Sequence, residues 1–172
     1  MAARCRGGYS AGPFSLPSFQ DPTALDHTDA PSPQSATIVE RVAKTGIDEA
    51  MIESLVRTFY GKIRDDAMLG PVFGAAITDW EPHLRKMMDF WSSVALLTHR
   101  YDGRPLPAHV RFDIGPAHFE RWLELFRETT AEVCTPEAAA FFEDRAANIG
   151  RSIQMGVDFF RKQAAADAKA GT

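Results

Sequence analysis

The amino-acid sequence predicts an all-α protein, on three observations. Apolar residues recur at helical spacing over four long stretches. No stretch of useful length alternates apolar and polar residues as a half-buried strand does. At 172 residues and 45% hydrophobic content, the chain is long enough to bury four such faces in one domain.

Taken in order, residues 1–40 read as a disordered, Pro/Ser/Gly-rich extension. Prolines 13, 17, 22, 31 and 33 interrupt this stretch, and it shows no sustained period with which to bury a face. His27 lies inside it without periodic context and takes no role. The domain proper is expected over 41–162, followed by a frayed tail over 163–172. Within "GIDEAMIESLVRTFYGKIRDD", Asp48 is an N-cap, and Ile52, Val56, Phe59 and Ile63 mark the buried face of the first helix. The segment "AMLGPVFGAAI" reads as a loop broken at Gly70-Pro71.

A second helix starts at Thr78 or Asp79, tolerates Pro82 in its first turn and ends near Thr98. Its stripe is His83, Met87, Phe90, Trp91 and Val94, so a titratable ring opens an otherwise apolar face. From His99 to Gly115, "HRYDGRPLPAHVRFDIG" has room for at most one helical turn among its Gly and Pro residues. Pro116 then stands at the N1 position of a third helix, whose face is Phe119, Trp122, Leu123, Phe126, Thr130 and Val133. A fourth begins at Thr135-Pro136-Glu137 and carries the stripe Phe142, Ala146, Ile149, Ile153, Val157 and Phe160.

Charge and composition exclude several classes. A net charge of −4 with no one-sided basic surface argues against nucleic acid. No run approaches 18 apolar residues, so no membrane span is expected, and the amino terminus lacks the continuous apolar core of a secretory signal. Cys5 and Cys134 make neither a disulfide framework nor a metal pair, which fits a reducing, cytoplasmic setting.

The long connection calls for a ligand. It contains His109, and the second helix rises roughly 23 Å from His83 to Thr98, while eleven further residues reach up to about 36 Å. The two imidazoles can therefore face one another across a cavity. Zinc is weakly supported, because neither histidine has a Cys or a second His one helical turn away, and Glu81 and Asp113 lie near only in sequence. A macrocycle that brings its own four nitrogens asks for less: one axial imidazole, apolar walls and a few polar groups. Haem meets that description, held non-covalently since no C-x-x-C-H motif is present.

The series Phe59-Tyr60, "LGPVF", Trp80 three residues before "HLRKMMDFW", "YDGRPLPAH" and "FERWLELF" resembles the truncated haemoglobins of the third group, over about residues 46–160. The resemblance implies a shortened globin fold, a two-over-two helical sandwich around haem b. It implies His109 as the proximal iron ligand, Tyr60 and Trp122 as distal hydrogen-bond donors, His83 as the distal gate and Phe73 as a ring stacked on the haem. Met87, Phe90 and Trp91 read as core that walls the pocket, and Lys86, Arg100 or Arg104 as partners of the propionates. His99 and His118 are expected at the surface. The residues 1–40 extension has no counterpart in the family pattern.

By this reading a monomeric haem protein binds dioxygen, nitric oxide or carbon monoxide. Bound dioxygen carries partial negative charge, so two donors beside it slow its release and favour nitric oxide dioxygenation or peroxide chemistry over carriage. Electrons for such turnover are expected from a separate reductase, since no G-x-G-x-x-G nicotinamide motif occurs. Two rivals stand beside it: a cofactor-free helical bundle acting as an interaction module, and a haem-based gas sensor, which calls for an output domain or partner.

Overall fold

The computed structural model describes residues 33–170. It comprises α1 (Pro33–Thr45), α2 (Glu49–Asp65), α3 (Leu69–Ala76), α4 (Trp80–Leu96), α5 (Pro105–Val110), α6 (Pro116–Val133) and α7 (Pro136–Ala170). No strand occurs among the described residues. Helix α2 pairs with α4, α6 pairs with α7, and α2 crosses onto α6, so one pair lies over the other.

Capping fixes where the core helices begin. The Asp48 carboxylate accepts the Met51 N–H at 2.8 Å, and Asp79 does the same for Glu81 at 3.3 Å. Helix α2 buries Ile52, Leu55, Val56, Phe59, Tyr60 and Ile63. The centre of the core is an aromatic stack: Phe126 lies between the indoles of Trp91 and Trp122, with ring centroids 5.2 and 5.3 Å away and planes inclined by 25° and 12°. Phe59 meets Phe126 edge-on at 5.1 Å. Phe126→Ala should therefore cost about 3–5 kcal/mol, because two rigid indoles close poorly over the gap. Urea unfolding checks this as a lower midpoint at unchanged slope; a loss below about 1 kcal/mol would mean that the stack collapses freely.

Four expectations need correction. A helix occupies 69–76 within the stretch expected to be a broken loop: α3 runs through Gly70-Pro71. Pro71 is its third residue, where an amide has no intrahelical acceptor to lose, and Asp66 caps the start by accepting the Met68 and Leu69 amides at 3.0 and 2.9 Å. Those amides and the Arg121 guanidinium at 2.8 Å hold the Asp66 carboxyl below the usual range. Helix α1 enters the stretch assigned to a disordered extension; Arg41 ties it to α4 through a 2.6 Å bond to the Ala95 carbonyl. Residues 1–32 of that extension, with His27 and Cys5, lie outside the described residues. Helix α7 continues to Ala170, through most of the tail expected to fray. Its apolar stripe leaves the core after Val157, so Phe160 is largely exposed.

The connection after α4 returns along the helix it has just left. Leu97 and His99 take left-handed conformations, with φ of 54° and 56°, and reverse the chain. Ser93 Oγ then accepts the Tyr101 N–H at 3.0 Å, and the Tyr101 ring packs edge-on against Phe90 with Lys86 above it. Next comes α5, the single turn the sequence allows, none of whose residues is fully buried. It sits on α7 where Gly156 provides the space: a Cβ there would run into the Leu106 side chain. Arg161 of α7 holds the following turn through the Phe112 carbonyl at 3.0 Å.

Candidate functional site

Between α2, α3, α4, α5, α6 and α7 lies a cavity of about 350 Å³. Its wall is mostly apolar and includes Phe73, Met87, Phe90, Phe119 and Ile153. Of the residues singled out from the sequence for cofactor or ligand contact, Tyr60, Phe73, His83, Lys86, Met87, Phe90, Arg104, His109 and Trp122 line this one space, and Arg100 does not. Residues up to 62 positions apart in sequence are thus brought together, by the packing of α2 on α4 and α6 and by the return of the chain along α4.

His109 stands in the last turn of α5. Its Nδ1 lies 2.7 Å from the Pro105 carbonyl oxygen. A carbonyl only accepts, so Nδ1 carries the proton and the neutral ring has its lone pair on Nε2. That is the tautomer of an imidazole ready to bind a metal ion, oriented by a backbone oxygen behind it.

Across the cavity, Tyr60 is almost completely buried, with Phe73, Trp80 and His83 around its ring at 6.0, 6.3 and 5.0 Å. Burial pushes its phenol well above the ordinary tyrosine value, so the group stays protonated and is available as an O–H donor. His83 is half-buried; desolvation, and then the charge of Lys86, lower its pKa and keep the ring neutral near pH 7. Its Nε2 is buried and has no hydrogen-bond partner among the described residues. A buried polar atom left so calls for a further partner such as a ligand or water. Trp122 reaches the same space from the middle of α6 while its ring stacks on Phe126.

The polar groups of the wall have one sign. Lys86, Arg104 and Arg111 line the cavity, together with three imidazoles, and no Asp or Glu does, in a chain whose net charge is −4. An apolar slot whose charged lining residues are all cationic suits a flat, apolar, acidic molecule.

Two expected positions change. Arg100 does not line the cavity; it pairs with Glu49 at 2.7 Å and Asp89 at 3.2 Å on the outside of α4, which removes it from the candidates for a propionate. His118, expected at the surface, lines the cavity, whereas His99 is exposed as expected. Tyr101 and Arg111 were not singled out. Both depend on the path of the returning chain, for which composition carries no signal.

The sequence profile of the bacterial-like globin family matches residues 37–144. The group 3 truncated haemoglobin of Campylobacter jejuni is 34% identical over 113 residues, covering 63% of this chain and 89% of that protein. The solved group III truncated haemoglobin from Campylobacter jejuni has a TM-score of 0.61 at 34% identity, over 64% of this chain and 91% of that one. The group II truncated haemoglobin from Bacillus anthracis has a TM-score of 0.56 at 24% identity, covering 66% and 88%, a likeness of fold.

Proposed function

The chain belongs to the bacterial-like globin family as a group 3 truncated haemoglobin, and from that premise we propose that its cavity holds non-covalent haem b with His109 as the axial ligand. The observation that carries this reading is the His109 ring, whose Nδ1–H donates to Pro105 and leaves Nε2 free on the wall of an apolar cavity. The lining supports it further: Phe73, Met87 and Phe90 offer flat apolar walls, and Lys86 and Arg104 stand unopposed by any lining carboxylate to receive the propionates.

Bound there, haem would supply redox-active iron to which a diatomic gas can bind. The chain supplies the surroundings of that gas. Tyr60, kept protonated by burial, donates its O–H to a ligand that carries partial negative charge, and the Trp122 indole N–H is a second donor. His83, neutral and unpartnered at Nε2, is the gate between the ligand and solvent. The mostly apolar wall lowers the local dielectric, which strengthens each of these bonds.

Two donors around one small ligand favour retention over release. This supports turnover of the ligand, in nitric oxide or reactive-oxygen detoxification with electrons from a separate reductase. Absorbance of the purified protein after haem addition tests the cofactor reading. The expected result is saturable one-to-one uptake with a Soret band that shifts when carbon monoxide is added to the reduced form. A protein that stays colourless and takes up no haem would refute it.

A further inference from the structure

His118 has two tasks open to it and one visible partner. It is the third residue of α6, the position at which a side chain can reach back to the N-cap amide. The N-cap is Gly115, which has no side chain, and its N–H donates to His118 Nδ1 at 3.2 Å. An amide N–H can only donate, so Nδ1 carries no proton and the neutral ring has its proton on Nε2. The ring also lines the cavity, where its remaining polar group is thus a donor.

The cations that share this lining have no anionic partner on it. Lys86 lies over the Tyr101 ring at 5.9 Å, and Arg111 over the Phe112 ring at 5.4 Å. Neither they nor Arg104 forms an ion pair among the described residues, although Arg57, Lys62, Arg100, Arg121 and Arg161 elsewhere do. An acidic group entering the cavity meets these cations and no lining carboxylate.

We infer that His118 donates from Nε2–H to an acid group of the bound cofactor, and that the same ring, by holding Gly115, ties the start of α6 to the occupied cavity. The inference rests on the haem reading above. The ring positions the cofactor and does not touch the reacting gas. Through α6 it stands four residues from Trp122, so the helix that carries a distal donor is anchored at the acid end of the cofactor.

His118→Glu separates the two tasks, because glutamate at this helix position keeps the reach-back bond to the N-cap amide and replaces the donor by an anion. His118→Gln is the milder companion. Haem loss is followed by transfer to an excess of a second apo-haem protein, and is repeated with haem dimethyl ester, whose acid groups are blocked. With haem, His118→Glu should release the cofactor about three- to tenfold faster than wild type, with His118→Gln between them. With the diester, all three should release at the same rate, and thermal unfolding of the cofactor-free proteins should coincide. Equal release of haem by wild type and His118→Glu would overturn the inference, as would an acceleration that persists with the diester. Uptake of neither porphyrin by the wild type would overturn the haem reading itself.

Discussion

If His109 holds the iron as proposed, His109→Ala should lose haem almost completely, with retention about a hundredfold weaker or worse, because that bond would be the strongest single link between this chain and the cofactor. The substitution removes a half-buried ring from a helix that has no fully buried residue, so the fold should survive. His109→Gly sharpens the test. It leaves a gap that free imidazole can fill, and millimolar imidazole should restore haem retention. The measurements are haem content after gel filtration and the ferrous absorbance spectrum. His83 and His118 line the same cavity, so a His83→Ala, His118→Gln background guards against substitution by either ring. A normal five-coordinate ferrous spectrum in His109→Ala would take the axial role from His109 and undo the alignment of this segment with the family.

Tyr60→Phe should speed dioxygen dissociation by roughly 10- to 100-fold and leave carbon monoxide dissociation nearly unchanged. The lost bond is one from a neutral donor to a charged acceptor, about 1.5–3 kcal/mol, and each 1.4 kcal/mol is about a factor of ten. Packing is preserved, because Phe59, Phe73, Trp80 and His83 contact the ring and phenylalanine keeps it. Carbon monoxide places little charge on its outer atom, so the contrast between gases separates a hydrogen bond from a general loosening. Stopped-flow off-rates for both gases decide it. Equal changes, or none for dioxygen, would make Tyr60 a wall residue and move distal stabilisation to Trp122 or His83.

The parts of the molecule that could be read from sequence are those whose order is local. Helices α2, α4 and α6 announce themselves by a cap and a stripe: Asp48 with Ile52 to Ile63, Asp79 with His83 to Val94, Pro116 with Phe119 to Val133. Helix α3 was hidden because Gly70-Pro71 is read as a breaker. Its position three residues after Met68 makes the proline harmless, and Asp66 supplies the acceptor that the first amides need. Helix α1 was hidden because its apolar residues are not all inside. Val39 is 67% exposed, and the helix is held instead by Arg41 on Ala95 and by the Thr135 hydroxyl on the Thr45 carbonyl.

The site divides the same way. His83, Met87 and Trp122 lie on visible stripes, and His109 lies in a loop too long to be idle. His118, Tyr101 and Arg111 depend on which side of α4 the chain takes on its way back, a choice made by Ser93, Phe90 and two left-handed residues. No spacing rule registers such a path. The family resemblance supplied Tyr60 and the role of His83, for which the periodicity gives only a buried ring.

Helix α5 carries His109 on six residues with none fully buried, seated by Leu106 against Gly156, while the helices around it share the Phe126 stack. Elements with little buried surface open at a small fraction of the free energy of global unfolding. The wall on the His109 side is therefore expected to open locally before the core does. Amide exchange in α5 should run ahead of that in α2 and α6, with the Phe126 stack left in place.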